Sequence, residues 1–247
     1  MKVASMTDPG RVRKINEDSS YADGLLGLLI VADGMGGHNG GEVASRIAVD
    51  TIAGLITARL AAADQPGDLN GLDTDGLIRG AISAADVQIR AQSGEDPALQ
   101  DMGTTLVLAL CRGSSIHLAH VGDSRAYLIR DGEILQLTQD HSLVAQMVRD
   151  GQLSKEDAPH FRLRHVVTRS LGNRVAPEVD IATVEWRMGD HLLLCSDGLT
   201  NMVQDSELCS FIAAGGADIE RSCEEAVDRA NRNGGKDNIT AVLAYYD

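Results

Sequence analysis

The stretch from Leu25 to His38, LLGLLIVADGMGGH, constrains the fold more than any other part of the chain. Its apolar run has the length of a strand buried on both faces, and it delivers one aspartate, Asp33, into a bend rich in glycine. An ionised carboxylate in such a place is costly unless it is paired or bound to a cation. Gly34, Gly36 and Gly37 let the main chain turn sharply and come close to a ligand. From Gly41 the pattern becomes helical, with Val43, Ile47, Ile52 and Leu55 on or near one face.

The order strand, glycine turn, helix also describes a dinucleotide-binding unit. Here GxGxxG fails, because Asn39 stands where the last glycine belongs, and Asp33 would point a negative charge at a pyrophosphate. Taken alone, the stretch also fits an Asp-Gly turn without chemistry. A metal site leads these readings only if the rest of the chain supplies further ligands.

At 247 residues and 43% hydrophobic content the chain can bury a substantial core. Aromatic residues make up only 3%, so Leu, Ile, Val and Ala must build it. A net charge of -14 argues against sequence-independent binding to nucleic acid or to an anionic membrane, both of which reward clustered Lys and Arg. The cysteines, Cys111, Cys195, Cys209 and Cys223, form no CxxC pair and are expected to be reduced and buried. No apolar h-region opens the chain and no run approaches the roughly 20 residues that span a bilayer, so a cytoplasmic protein is expected.

Residues 1 to 22 carry a turn at Asp8-Pro9-Gly10, the bases Arg11, Arg13 and Lys14, and the acids Glu17 and Asp18. A solvated hairpin end is the plain reading of that mixture. Functionally, the arginine fork suits a phosphate and the acids suit metal-bound water. Gly41 to Leu60 and Leu72 to Gln92 read as an amphipathic helix pair around the polar loop Asp64 to Gly71. Strands follow at Thr104 to Cys111, Ile116 to Val121 and Arg125 to Ile129, close enough together to be antiparallel. A helical stretch, Leu143 to Asp150, opens a weakly periodic segment that reads as a surface flap spanning about 143–178. Strands at Val179 to Trp186 and His191 to Cys195, helices at Ser206 to Ala214 and Asp218 to Asn231, and a last strand, Ile239 to Tyr245, complete the chain.

Four aspartates, Asp33, Asp123, Asp197 and Asp237, each sit where an apolar strand meets a turn. One such case is ordinary, whereas four suggest strand ends that converge. Oxygen ligands with retained water select Mg²⁺ or Mn²⁺ over zinc. Two such ions about 3.5–4 Å apart can activate a shared water and clamp the oxygens of an in-line displacement at phosphorus.

The ordered segments RVRKINEDS, VADGMGGHNGGEVAS, GTTL, VGDSRAYLIRDGEILQLTQDHS, TRSLG, LLLCSDGLT and GGKDNITAVL resemble the metal-dependent protein Ser/Thr phosphatases, the PPM or PP2C-type family, in their bacterial form. The match runs from about Arg11 to Leu243. The resemblance implies one α+β domain over 1–247, a four-layer αββα sandwich of two antiparallel sheets flanked by antiparallel helix pairs. It implies Mn²⁺ or Mg²⁺ as cofactor, two ions with a possible third. Asp33 would bridge them, Gly34 would lend its carbonyl, Asp197 and Asp237 would bind directly, and Glu17 and Asp18 would act through water. Asp123 with Asp197 matches a third-metal site, and Arg13 matches the arginine that binds the substrate phosphate.

The expected activity is hydrolysis of phosphoserine and phosphothreonine in phosphorylated proteins by a metal-activated water. The expected partner is a cognate Ser/Thr protein kinase that the enzyme opposes, and the expected state is a monomer.

Two positions depart from the family pattern. Met35 stands where part of the family has a histidine proposed as general acid, and Asn201 stands where other members have an aspartate near the third metal. His38 reads as a turn residue, and Asp140 and His141 as anchors of the flap. His117 and His120 lie on opposite strand faces and do not chelate as a pair. A serine hydrolase is unsupported because Gly122-Asp-Ser-Arg-Ala126 fails GxSxG at its last position. A silent phosphoprotein-binding relative would lack metal aspartates, and a nuclease would want a basic groove.

Overall fold

The computed structural model describes residues 1–37, 39–62 and 72–247, so His38 and the whole loop expected at Asp64 to Gly71 lie outside the described residues. In β3 (Leu28–Met35), the second strand of its sheet, the alternation of side chains builds two layers at once. Leu28, Ile30 and Ala32 pack towards helices, while Leu29 and Val31 pack towards a second sheet. Both faces are therefore covered, as the unbroken apolar run requires. Each such Leu, Ile or Val contributes about 1.5–3 kcal/mol relative to exposure.

β3 lies between β2 (Asp18–Asp23) and β5 (Leu106–Arg112), with β6 (Ser115–Val121) and β9 (Asp180–Glu185) continuing the sheet and the short β4 (Gly103–Thr104) pairing the far end of β3. The second sheet runs β1 (Lys2–Asp8), β11 (Ile239–Tyr245), β10 (His191–Cys195), β7 (Arg125–Arg130) and β8 (Glu133–Gln136). All the pairings are antiparallel. Helices α1 (Gly40–Ala61) and α2 (Thr74–Glu95) cover the first sheet. On the second sheet lie α5 (Asp205–Gly215) and α6 (Ile219–Arg232), while α3 (Leu143–Arg149) opens the segment 143–178 that the sequence suggests as a flap, and α4 (Asp197–Thr200) follows β10. The expected αββα sandwich is present, with Leu29, Val31, Val107, Leu192, Leu194 and Val242 in the layer between the sheets. All four cysteines are free and buried.

Several local expectations are corrected. Residues 1 to 22 form no hairpin, because β1 pairs with β11 in one sheet while β2 pairs with β3 in the other. Leu25 is fully exposed rather than part of the strand, because the Asp23 carboxylate accepts from the Leu25 and Leu26 N–H groups and makes a turn there. Asp33 and Gly34 still belong to the strand, and the bend begins after Met35. Leu55 is exposed too, since α1 buries a face made of Ala44, Ala48, Ile52 and Ile56. The strand expected from Thr104 to Cys111 is interrupted at Thr105, and β6 and β7 do not pair, because Gly122-Asp123-Ser124 carries the chain from one sheet to the other.

Candidate metal centre

The antiparallel register of β2 and β3 sets Asp18 directly opposite Asp33. The main chain of Asp33 is fixed from β4 and from Thr105, the residue between β4 and β5. Its N–H donates to Thr105 Oγ1 (3.0 Å), and its carbonyl accepts from the Thr105 N–H (2.9 Å) and Thr104 Oγ1 (3.0 Å). Asp18 is buried, and its Oδ2 accepts from Ser196 Oγ (2.8 Å), just past the end of β10, and from Thr240 Oγ1 (2.6 Å) on β11. Its Oδ1, like Glu17 Oε1, is buried with no hydrogen-bond partner.

Glu17 is held through its main chain. Its N–H donates to Asn238 Oδ1 (2.8 Å), and its carbonyl accepts from the Gly34 N–H (3.1 Å) and Ser45 Oγ (2.6 Å). Asn238 also donates to the carbonyls of Pro9 (3.1 Å) and Ile15 (2.9 Å), fastening the Arg11 to Glu17 loop beside Asp237. A Cβ on Gly34 would run into the Gly41 and Glu17 carbonyls, and one on Gly198 would run into that of Asn238. Only glycine permits these approaches.

Asp197 opens α4, with Oδ2 accepting from Asn201 Nδ2 (3.0 Å). Asp237 precedes β11, and its Oδ2 accepts from Arg13 Nη2 (2.9 Å), while Arg13 Nη1 lies 3.9 Å from Glu17 Oε2. Asp123 and Asp197 line a groove of about 830 Å³ shared with Asn201, Arg164 and His165, the last two from the flap.

The charges are out of balance. Burial, followed by Asp18, Asp197, Asp123 and Asp237, holds the Asp33 carboxyl well above the usual carboxylate range. Burial pushes Asp18 up to about 7 against the hydrogen bonds of Thr240 and Ser196, and burial with Asp197 and Asp140 pushes Asp123 up to about 7. Asp197 is raised by burial and by Asp237. Burial also raises Glu17, against the pull of Arg13. So many carboxylates cannot all stay ionised together without added positive charge.

The donor set fits hard divalent cations. It is made of carboxylates, and it includes the buried Glu17 Oε1 and Asp18 Oδ1, which no donor satisfies. The residues expected from the sequence to hold such ions are Asp33, Gly34, Asp197 and Asp237, with Asp123, Glu17 and Asp18. Asp18, Asp33, Asp123, Asp197 and Asp237 lie near enough to act on one another's charge.

The sequence pattern of the protein phosphatase 2C family matches residues 12–244. The chain belongs to that family. It is 38% identical over 245 residues to the serine/threonine protein phosphatase PstP of Mycobacterium tuberculosis, covering 99% of this chain and 45% of PstP. It therefore spans about half the length of that curated relative. The serine/threonine phosphatase stp of Listeria monocytogenes is 38% identical over 248 residues, covering 98% of this chain and 94% of stp. The crystal structure of the PstP catalytic domain in complex with two manganese ions superposes with a TM-score of 0.85 at 38% identity, covering 100% of this chain and 98% of that one.

Within this family member, five residues around the centre escape sequence reasoning. Ser196 and Thr240 hold Asp18, Thr104 and Thr105 hold Asp33, and Asn238 holds Glu17. The available signal is a polar residue at a strand end next to a candidate ligand, as in Ser196-Asp197 and Asp237-Asn238.

Proposed function

We propose that the protein is a metal-dependent phosphatase that hydrolyses phosphoserine and phosphothreonine in other proteins. The observation that carries this reading is the meeting of Asp18, Asp33, Asp123, Asp197 and Asp237 from both sheets, with buried carboxylate oxygens left unsatisfied, in a chain of the protein phosphatase 2C family. Asp33, Asp197, Asp237 and the Gly34 carbonyl would hold two Mn²⁺ or Mg²⁺ ions. Glu17 and Asp18 would act through water, and Asp123 with Asp197 would hold a third ion. When bound, such ions lower the pKa of water and offset the charge of phosphoryl oxygens.

The chain's own residues do the rest. Arg13 stands at the rim, about half exposed, with a fork suited to two phosphate oxygens. Ser196 and Thr240 fix Asp18 so that Oδ1 stays free to accept. Thr104 and Thr105 fix the strand that aims Asp33. Asn201 is neutral and donates to Asp197, which weakens that carboxylate as a ligand for a third ion. The domain spans 1–247, with the flap over 143–178 bordering the groove that receives the substrate.

The substrates are phosphorylated proteins, the counterpart is a Ser/Thr protein kinase acting on the same targets, and the enzyme works as a monomer in the cytoplasm. Among the described residues no helix is long and apolar enough to cross a membrane. The charge of -14 opposes nucleic-acid binding.

The test is hydrolysis of p-nitrophenyl phosphate and of a phosphothreonine peptide as Mn²⁺ is titrated into chelated protein. Activity should appear only with metal, and Asp33→Asn should lower it roughly 10³-fold, about 4 kcal/mol in the barrier. Full turnover in excess chelator would sink the proposal.

A further inference from the structure

His141 holds Gly122 by both of that residue's main-chain groups. The His141 N–H donates to the Gly122 carbonyl (2.9 Å), and the Gly122 N–H donates to His141 Nδ1 (3.1 Å). On the other side of the loop, Thr105 fills the space where a Cβ on Gly122 would stand, and Thr105 Oγ1 lies 2.7 Å from Ser124 Oγ. Asp123 therefore projects from three residues pinned at each end.

Because Nδ1 accepts, the ring proton sits on Nε2. The acceptor facing it is Asp180 Oδ2 on β9, at 3.4 Å. His120 stacks on the ring with centroids 4.7 Å apart and is itself tied to the Gln139 carbonyl. His120, His141 and Asp180 are close enough to chelate a metal, with ligand atoms within 4.8 Å of one another. Arg169 already fills that place with its own charge, since its Nη1 is 3.0 Å from Asp180 Oδ1 and 3.3 Å from His141 Nε2. The cluster thus orients an imidazole.

The same residue carries the flap. The His141 carbonyl accepts from the Thr168 N–H (2.7 Å), the adjacent Ser142 bridges Val167, and the Leu143 N–H donates to the Val166 carbonyl (2.8 Å). Arg169 follows directly in the returning arm. One side chain and its peptide thereby join the far arm of the flap to the loop that bears Asp123.

We propose that His141 is a positioning residue for Asp123, setting through Gly122 the main chain from which the third ion is held and linking that loop to the flap. The inference rests on Asp123 being a ligand of that ion. Groups that orient metal ligands in this way alter affinity by roughly 10- to 100-fold when removed.

Two substitutions separate the two ring nitrogens. His141→Asn places an amide oxygen near the position of Nδ1, and His141→Gln places one near Nε2. Mn²⁺ binding to the whole protein is followed by the EPR signal of free Mn²⁺. His141→Gln should weaken the weakest Mn²⁺ roughly tenfold or more and leave the two tight ions in place. His141→Asn should stay close to wild type.

Equal behaviour of the two variants, or no change in either, overturns the inference. Asp123→Asn should abolish the weakest binding. If that binding survives, the assignment of Asp123 falls, and with it the foundation of this inference; if only His141→Gln is silent, the clamp alone is wrong. Should His141→Gln fail to fold by circular dichroism, ¹⁵N NMR of the wild-type ring decides. The Nε2–H tautomer supports the clamp, and the Nδ1–H tautomer overturns it.

Discussion

Where β3 approaches the ends of β10 and β11, Asp18, Asp33, Asp123 and Asp197 crowd together and their carboxyl groups are held above the ordinary range. At the other end of β10, Asp190 is also buried, yet its carboxyl is held below that range. Burial pushes Asp190 up as well, but Arg130 donates from Nε (2.9 Å) and Nη2 (2.5 Å) and the Arg187 N–H adds a third bond (2.6 Å), and together these outweigh it. Low solvent exposure is common to both regions, but Asp190 lies less deep and has an arginine partner, and the two together keep its carboxyl down. A protein able to pair a buried acid with an arginine does so at Asp190. It leaves the acids around Asp33 short of positive charge, which is the condition a divalent cation relieves.

The widest gap between the two regions should appear in thermal denaturation against pH. In chelator, Asp18 and Asp123 titrate near 7 in the folded protein and near 3.8 in the unfolded chain, so the folded state binds more protons between these values. Stability of the metal-free protein should therefore fall by a few kcal/mol as pH rises from about 4 to 7. Mn²⁺ should restore it at pH 7 and above. A chelated profile that stays flat over that window would erase the contrast.

Asp190 should behave in the opposite sense. Its folded pKa is depressed, so its contribution is present at neutral pH and is lost as pH falls below its ordinary 3.8. Asp190→Ala strands the Arg130 fork and should cost about 3 kcal/mol in urea denaturation, with kcat/KM unchanged. A loss of metal affinity in that variant would mean that the two regions are not independent.

Arg13 stands between the two kinds of site, an exposed fork on Asp237. Arg13→Ala should raise KM roughly tenfold, since it removes a contact made before as well as during the reaction. An unchanged KM in steady-state kinetics would remove Arg13 from phosphate binding.

How much of this was legible in the sequence follows from which interactions are local. The apolar run ahead of Asp33 announces a strand buried on both faces, and the recurrence of aspartate at strand ends announces convergence. β2, by contrast, reads DSSYAD, with no apolar alternation, because it is an edge strand whose place comes from pairing with β3. The helix expected at Leu72 starts at Thr74 because the Asp73 side chain accepts from the Gly76 N–H and caps it. Sequence alone could not show that Ser196 and Thr240 grip Asp18, since those bonds span 178 and 222 residues. Nor could it show Arg169 on the His141 and Asp180 pair, since the sequence marks His141 only as an anchor of the flap and says nothing of what its ring meets.

The division of the acids between the sheets has a mechanical side. Asp18 and Asp33 belong to one leaf of the sandwich, Asp197 and Asp237 flank strands of the other, and Asp123 sits on the strip of chain that crosses over. A cation shared among them would be a rivet through both leaves at a single corner. Its removal should loosen first the seam where Leu29, Val31 and Val242 interlock, rather than the helices packed on each outer face.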